Sequence, residues 1–225
     1  MKMNATLVPD KARVADIGCD HGYVAMWLVK EKNCKPVIAT DVNEGPLKRA
    51  EKNIRAMKLE EMIEVRQGDG LTVLKPGEVD TVLIAGMGGM LMCEMLSAAP
   101  GVLKTTQTLI LQPQSDVEEV RRHLHKLGYR IDKESICLED GKYYFAIRAV
   151  PGEEDEPYTD TEYRFSRLLA EEGGTVYRGY MRMMTDKIAD LLKTLDLPDL
   201  DIGDRTRERK AELEQELNQL RETFK

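Results

Sequence analysis

The sequence has few of the residues that build metal sites and disulfides, and it has no long apolar run. Its four cysteines are widely separated without a C-x-x-C pair, and it has only three histidines. This spacing predicts reduced thiols and argues against a zinc site. No apolar run approaches the roughly 20 residues that a membrane-spanning helix needs, and Met1–Pro9 lacks the apolar core of a signal peptide. We therefore expect a cytoplasmic protein with no metal and no membrane contact.

Two common catalytic motifs and a basic surplus are also missing. The sequence contains neither a G-x-x-x-x-G-K-[ST] loop nor a G-x-S-x-G elbow, so we expect neither P-loop hydrolysis of triphosphates nor serine hydrolase chemistry. Residues 1–150 carry 21 basic and 21 acidic side chains, and residues 151–225 carry 12 and 19, which gives the net charge of −7. Because proteins that bind nucleic acids usually have a basic surplus, only local basic patches would serve such a partner here.

Strand and helix patterns alternate along the first two thirds of the chain. The predicted strands span residues 13–17, 35–40, 63–67, 79–85, 108–112, 129–138 and 142–149. The predicted helices between them span residues 23–31, 44–57, 90–98 and 115–127. In the last of these helices, Ser115 and Glu118 predict a capping box. We predict an α/β, Rossmann-like, doubly wound sheet of seven strands, mostly parallel with an antiparallel C-terminal hairpin.

The composition changes after residue 150 and predicts a second domain. Pro151–Pro157 is rich in proline and acidic residues and indicates a linker, so we place the domains at residues 1–152 and 153–225. Thr159 and Glu162 predict another capping box, for a helix that continues to Glu171. Apolar residues at helical spacing over 175–195 and 205–224 predict a C-terminal helical hairpin of the coiled-coil type. The apolar seam of its second helix comprises Leu213, Leu217, Leu220 and Phe224.

A glycine-rich turn follows the first strand, within Arg13–Gly22. A strand, a glycine turn and a helix in this order are typical of nucleotide-binding βαβ units. The glycine spacing does not fit G-x-G-x-x-G, however, and Asp20 would put negative charge where a dinucleotide carries its diphosphate. A ligand without phosphates and with a positive centre suits this turn better. S-adenosylmethionine, with its sulfonium and its amino group, is such a ligand.

Acidic residues, glycines and glutamines follow the first five predicted strands. In an open α/β sheet, ligands bind beyond the carboxyl ends of the strands, so we expect these residues to form one site. We expect Asp41, 23 residues beyond Gly18, to accept both ribose hydroxyls of the ligand, and Asp69 or its neighbouring backbone to bind the adenine amino group. The predicted cofactor site comprises Asp16, Gly18, Asp20, His21, Gly22, Asp41, Val42, Asn43, Gly68, Asp69, Gly70, Ala85, Gly86, Met87, Gly88 and Gly89.

With these residues in place, the chain resembles the class I S-adenosylmethionine-dependent methyltransferases, and more narrowly the bacterial tRNA (adenine(22)-N1)-methyltransferase family. The most specific stretch is Ile84–Gly89, which reads Ile-Ala-Gly-Met-Gly-Gly. The resemblance covers most of the chain, including the helical tail. The other stretches that carry it are Val14–His21, Glu44–Pro46, Gly68–Gly70, Leu109–Pro113 and Glu139–Tyr143.

Membership of this family implies a cofactor bound at the strand-end residues, an adenosine of tRNA methylated on N1, and a tail that helps to hold the tRNA. Two positions depart from the family pattern. The family generally begins with an additional helix of the type Leu-Ser-x-Arg-Leu, and Met1–Asn4 stands there in this chain. We therefore expect a lid or substrate contact to be built differently. Asp41 stands where relatives often have glutamate, and we expect ribose binding to be preserved.

The chemistry of adenine N1 sets what the site must supply. N1 is already a lone-pair nucleophile, so the enzyme needs to provide a near-attack geometry and an acceptor for the N6 group rather than a strong base. Our catalytic candidates are Asp20 and His21 near the methyl group, with Gln112 and Gln114 positioning the base. For the tRNA phosphates, the candidate basic patches are Lys48, Lys52 and Arg55 on one helix, Arg121, Arg122 and Lys126 on another, and Arg164, Arg167, Arg178 and Arg182 in the tail. Tyr143 and Tyr144 are candidates for stacking with the target base.

Two other functions remain open at this point. One is a methyltransferase of the same fold that acts on a protein or a small molecule, which the acidic balance favours. The other is a catalytically silent cofactor-binding module whose tail recruits a partner. The methionine-rich helix over 90–98 is predicted to pack on the sheet, with Cys93 in the core. The sequence leaves the oligomeric state open, and we expect a monomer.

Overall fold

The computed structural model describes residues 2–195 and 204–223. Seven strands form one sheet in the order β3-β2-β1-β4-β5-β7-β6. The first five strands are parallel, and β7 runs antiparallel to both β5 and β6. The predicted seven-stranded sheet with its antiparallel end is therefore confirmed. The strands are β1 Val14–Ile17, β2 Val37–Asp41, β3 Ile63–Gln67, β4 Thr81–Met87, β5 Thr108–Pro113, β6 Tyr129–Glu139 and β7 Lys142–Pro151.

Helices cover the sheet and form the C-terminal part of the chain. Two apolar clusters of buried side chains pack between the helices and the sheet, and β4 and β5 contribute to both. The sequence patterns missed α1, α5 and a 3-10 turn at Gly70–Val73. The helices are α1 Lys2–Leu7, α2 Tyr23–Lys32, α3 Glu44–Ala56, α4 Gly89–Ser97, α5 Pro100–Leu103, α6 Val117–Lys126, α7 Asp160–Phe165, α8 Arg167–Glu172, α9 Thr175–Leu195 and α10 Asp204–Thr223.

The two predicted capping boxes have different outcomes. The box at Thr159 and Glu162 is confirmed, because each residue bonds the other's backbone N–H at the start of α7. The predicted cap at Ser115 is wrong. Asp116, in a left-handed conformation with φ 54°, precedes α6, and the Ser115 hydroxyl donates to the Asp116 carboxylate instead of to the helix. The helix predicted to run to residue 171 is divided at Ser166, where φ is 73°.

A buried ion pair joins α6 to β6. The guanidinium of Arg121 donates from Nε to Glu134 Oε1 at 2.8 Å, and both side chains are fully buried. Arg121 Nη1 also donates to the Tyr163 carbonyl at 2.6 Å, and the Ser166 hydroxyl donates to the second oxygen of Glu134. The prediction that Arg121 contacts phosphates is therefore wrong, because this side chain is enclosed in the core. Its neighbour Arg122 is bonded to Glu118 and Asp160.

The chain divides into two compact units, Met1–Leu168 and Leu169–Lys225. In the first unit, Glu154 Oε1 accepts the N–H of Ile131 at 2.7 Å, so this part of the predicted linker is bonded to β6. The boundary at residues 152 and 153 stays a prediction. In the second unit α9 and α10 pack against each other, with Leu213, Leu217 and Leu220 buried. Phe224 lies outside the described residues, and the coiled-coil geometry stays a prediction.

None of the helices in the described part of the chain is long and apolar enough to cross a membrane.

The buried pair generates a stability prediction. Replacing Glu134 by alanine leaves the Arg121 charge in the core without its carboxylate, and we expect the free energy of unfolding to fall by about 3–5 kcal/mol. Denaturant-induced unfolding measures this loss. The matched control is Glu44→Ala, which removes the partner of Lys48 in a solvent-exposed ion pair on α3 and is expected to leave the unfolding midpoint in place. Equal losses in the two variants would contradict the account.

Candidate active site

One cavity of about 450 Å³ lies at the carboxyl ends of β1 to β4. Each of these strands contributes the residues of the turn that follows it, and α4 closes one side. Eleven of the predicted cofactor-site residues line this cavity. They are Gly18, Asp20, Asp41, Val42, Asn43, Gly68, Asp69, Gly70, Ala85, Gly86 and Met87.

The remaining predicted residues do not line the cavity wall. They are Asp16, His21, Gly22, Gly88, Gly89, Gln112 and Gln114. Most of them support the wall from behind or lie beside residues that do line it. Four residues that the sequence did not indicate, namely Ile17, Thr40, Leu91 and Met95, complete the lining.

The turn after β1 is held against β2 by backbone hydrogen bonds. The N–H groups of Gly18 and Cys19 both donate to the Thr40 carbonyl at 2.8 Å. Gly18 has φ 72°, and a Cβ at this position would lie 2.2 Å from the terminal methyl carbon of Met87. The positive φ is what favours glycine here, because the nearest atom is the flexible end of the Met87 side chain.

The Asp20 carboxylate lines the cavity and has two partners on its outer side. Its Oδ1 lies 3.3 Å from Arg49 Nη2 on α3, and its Oδ2 lies 3.4 Å from Nε2 of His21. The Asn53 side chain donates to the His21 carbonyl at 3.0 Å, so α3 fixes both the backbone and a side chain of this turn. Because the Asp20 carboxylate is half exposed, it contributes negative charge at the cavity wall without a large desolvation cost.

Asp16 lies behind the same turn, in β1. It is buried, and its Oδ2 has no hydrogen-bond partner. Burial raises the pKa of the Asp16 carboxyl to about 7, and a hydrogen bond from the Ala25 backbone opposes this rise. The family resemblance implies a cofactor contact at Asp16, and this stays a prediction, because the carboxyl does not line the cavity and bonds the Ala25 backbone in α2.

The turn after β2 and the turn after β3 are joined by hydrogen bonds. The Asp41 Oδ1 accepts the N–H of Asn43 at 2.9 Å, which fixes its carboxylate beside the cavity. The Gly68 N–H donates to the Asp41 carbonyl at 3.1 Å, and Gln67 Nε2 donates to the Val42 carbonyl at 3.2 Å. Asp69 then begins the short 3-10 turn. These contacts hold two carboxylates, Asp41 and Asp69, on adjacent turns of one wall.

The glycine loop after β4 packs on the loop after β5. The pairing of β4 with β5 shifts register between Ala85 and Met87, and Gly86 at this bulge has φ 78°. The Gly89 N–H donates to the Ser115 carbonyl at 3.2 Å, and a Cβ on Gly89 would lie 2.5 Å from the same oxygen. Gly89 therefore has a packing reason to be glycine, since a side chain would push the two loops apart.

The two predicted glutamines occupy different positions. Gln112 is 8% exposed, and its amide donates to the Pro113 carbonyl at 3.3 Å, so this side chain stays on its own strand. Gln114 is exposed, and its Nε2 lies 3.7 Å from the position of a Cβ on Gly86. Its backbone N–H donates to the Met87 carbonyl at 2.8 Å. Of the two, Gln114 is the one beside the cavity.

Helix α4 presents two faces. Met92 and Leu96 are buried in the core, as the sequence indicated, and burial raises the pKa of the Cys93 thiol. Leu91 and Met95, one helical turn apart, line the cavity instead. Their spacing was visible in the sequence, but the methionine-rich composition pointed to packing alone.

The cavity combines negative charge with apolar surface. Three carboxylates, those of Asp20, Asp41 and Asp69, face a volume also bounded by Leu91 and Met95. This lining suits a ligand with hydroxyls, a positive centre and an apolar ring. Among the residues that the structure describes, no group of three metal-ligating side chains comes together.

The parallel sheet with one antiparallel strand, and the glycine-lined cavity at its carboxyl edge, define a Rossmann-like methyltransferase. Residues 1–147 of the chain match the methyltransferase domain family. The chain belongs to this family, in the branch that contains TrmK of Bacillus subtilis, and the resemblance predicted from the sequence is confirmed.

Three relatives illustrate the similarity. The tRNA (adenine(22)-N(1))-methyltransferase of Bacillus subtilis strain 168 is 39% identical over 154 residues, which cover 68% of this chain and 65% of that protein. The matched part thus spans just under two thirds of that relative. The crystal structure of the B. subtilis m1A22 tRNA methyltransferase TrmK superposes with a TM-score of 0.89 at 30% identity, covering 100% of this chain and 97% of that one. The structure of a Streptococcus pneumoniae protein in complex with S-adenosyl-L-methionine superposes with a TM-score of 0.87 at 29% identity. The match covers 100% of this chain and 97% of that one.

The raised pKa of Asp16 generates a prediction about pH. In the unfolded chain this carboxyl titrates near its ordinary value of about 3.9, whereas in the folded protein its pKa is about 7. The folded state therefore binds more protons between these values, and wild-type stability falls relative to Asp16→Asn as the pH rises from about 4 to 7, by up to about 4 kcal/mol. Above pH 7 the difference is constant. Urea unfolding of both proteins across this range measures it, and a difference independent of pH would contradict the burial argument.

Proposed function

We propose that the protein transfers the methyl group of S-adenosylmethionine to N1 of an adenosine in tRNA. The observation that carries this proposal is the convergence of four glycine and aspartate turns on one cavity of about 450 Å³. It is supported by the similarity to a B. subtilis enzyme named for methylation of adenine 22 on N1. From the cysteine spacing and the absence of an apolar run in the sequence, we also propose that the protein works in the cytoplasm, and we keep the expectation of a monomer.

The residues of the cavity fit this cofactor. Its volume lies in the range of small-molecule sites. Thr40 is among the lining residues, and its buried hydroxyl has no partner in the protein. Gly18 and Met87, from the turn after β1 and the end of β4, both line this cavity and lie close to each other. When bound, the cofactor supplies an electrophilic methyl group on a sulfonium. The carboxylate of Asp20 favours a positively charged group near the first turn.

The other turns supply complementary contacts. Asp41 is fixed by the Asn43 N–H in a position from which it accepts the ribose hydroxyls. Asp69 and the backbone at Gly70 bind the adenine of the cofactor, with Leu91 and Met95 as apolar surface on the side of α4. We assign no direct cofactor contact to Gly89, because it acts by holding the turns in place.

Adenine N1 needs orientation rather than deprotonation. We propose that Gln114, beside Gly86, positions the substrate base, and that Gln112, bonded to its own strand, does not. Asp20 and His21 lie on the opposite side, and the Asp20 carboxylate is the acceptor available for the N6 group as the ring becomes cationic. Holding the base in a near-attack geometry is the main contribution that these residues make.

One basic face is a candidate surface for the tRNA backbone. Lys48, Lys52 and Arg55 on α3 line a shallow groove of about 370 Å³ together with Glu51, and Lys48 is paired with Glu44. The same helix carries Arg49 and Asn53, which contact the turn that bears Asp20. We propose that α3, rather than Arg121 and Arg122 of α6, contacts the phosphates next to the target adenosine, because Arg121 is buried and Arg122 is bonded to Glu118 and Asp160.

The central experiment incubates the protein with labelled S-adenosylmethionine and unmodified tRNA and identifies the methylated nucleoside after digestion. N1-methyladenosine is expected. A labelled nucleoside of another kind, or methyl transfer only to protein or a small molecule, would overturn the proposal. Cofactor binding without transfer to any RNA would favour the silent binding module.

Asp41 provides a test of cofactor binding within the same assay. Because Asp41→Ala removes charge-assisted hydrogen bonds to the ribose, we expect a loss of affinity of about 10- to 100-fold, measured by calorimetry with S-adenosylmethionine. The conservative control is Asp41→Glu, which keeps the carboxylate and is expected to retain binding within a few-fold. An alanine variant that binds as tightly as the wild type would exclude Asp41 from the cofactor site.

The basic face of α3 predicts the salt dependence of tRNA binding. The logarithm of the tRNA affinity is expected to fall linearly with the logarithm of salt concentration, and Lys52→Ala is expected to reduce the slope by about 1. The control is Lys104→Ala, an exposed lysine just before β5 at the opposite edge of the sheet. The same slope in both variants would remove α3 from the tRNA interface.

A further inference from the structure

Tyr23 is the only tyrosine, phenylalanine or tryptophan with an exposed side chain in the part of the chain whose side chains are described. It is the first residue of α2, and 49% of its surface is exposed. The other aromatic side chains in that part are buried or half-buried. An isolated tyrosine ring left in solvent is therefore a distinguishing feature of this helix start.

A short chain of contacts links this ring to the cavity. The ring of Tyr23 is nearly parallel to the imidazole of His21, with an interplanar angle of 15° and centroids 5.4 Å apart. His21 Nε2 lies 3.4 Å from the carboxylate of Asp20, which lines the cavity. Gly22, with φ 72°, turns the backbone between the two rings. The stacked pair thus lies one side chain away from the cavity wall.

Two further exposed apolar side chains line the cavity. Val42 is 58% exposed and Leu91 is 45% exposed, and both line the cavity. Large apolar side chains left in solvent around a concave site are typical of a surface that is covered when a ligand binds. Val42 and Leu91 line the same cavity as the Asp20 carboxylate, and His21 connects this carboxylate to the Tyr23 ring.

We propose that Tyr23 is the ring on which the target adenine stacks, with His21 packed behind it. Proteins hold unpaired bases by stacking them on aromatic side chains, and the exposed ring is linked through His21 to the Asp20 carboxylate, which is assigned above to the N6 group. The pair fixes the plane of the base, while Asp20 and Gln114 bond its edge. This inference rests on the proposed function, because it assumes an adenine in RNA as the substrate.

The test compares kcat/KM for tRNA among the wild type, Tyr23→Leu, Tyr23→Phe and Tyr144→Leu. We expect Tyr23→Leu to lower kcat/KM by about 10- to 100-fold, because base–aromatic stacking is lost, without changing the affinity for S-adenosylmethionine. Tyr23→Phe keeps the ring and is expected to stay within about twofold of the wild type. Tyr144→Leu removes a half-buried tyrosine on the β6–β7 hairpin, one of the two rings that the sequence offered for stacking, and is expected to stay within about twofold of the wild type.

Calorimetry with S-adenosylmethionine and thermal unfolding verify that each variant is folded. Wild-type kcat/KM in Tyr23→Leu would overturn the stacking role, as would a tenfold loss in Tyr23→Phe or an equal loss in Tyr144→Leu. A wild type that forms no N1-methyladenosine would instead refute the proposed function. In that case, a tRNA with 2-aminopurine at position 22 still tests the stacking. Its fluorescence is expected to be quenched by the wild type and Tyr23→Phe but not by Tyr23→Leu, and equal quenching by all three would overturn the inference.

Discussion

The backbone hydrogen bonds between neighbouring turns at the carboxyl edge of the sheet are the constraint on which the site depends. The Thr40 carbonyl accepts from both Gly18 and Cys19, and the Asp41 carbonyl accepts from Gly68. These bonds extend the parallel pairing of β1, β2 and β3 past the ends of the strands. Without them, three like-charged carboxylates would separate to reduce their repulsion. The sheet thus supplies the stability that keeps the Asp20, Asp41 and Asp69 turns around one volume.

The positions of these turns require glycine for different physical reasons. Gly18 and Gly86 adopt positive φ values that other residues rarely take, and Gly89 lies against the Ser115 carbonyl, where a Cβ has no room. Asp16, in contrast, is a residue whose side chain is buried in β1 before the turn, where burial favours the protonated form of its carboxyl. An acidic group that interacts weakly with water at neutral pH suits the packing of β1 against α2 better than a fully charged one.

Arginines show how the same residue type serves two purposes in this fold. Arg121 is enclosed with Glu134 and ties α6 to β6, whereas Arg49 reaches from α3 to the Asp20 carboxylate at the cavity. Both lie on amphipathic helices beside other basic residues, so composition does not distinguish them. Their roles differ because α6 has β6 and α7 packed over it, while the basic face of α3 meets solvent.

The sequence by itself determined the elements and the edge at which they meet. Alternating patterns predict the seven strands, and the turns at Gly18, Asp41 and Gly68 each follow a strand end, so parallel pairing alone brings them together. Tertiary structure decided exposure and direction, which are properties of long-range packing. In the folded protein Arg121 is buried, and the Gln112 amide bonds the Pro113 carbonyl of the same strand. Asp116, rather than Ser115, is the N-cap residue of α6. The enclosure of Arg121 depends on Glu134 and Tyr163, which distant parts of the chain contribute. Gln112 and Ser115 instead bond the neighbouring residues Pro113 and Asp116, and the sequence pattern does not specify these local orientations.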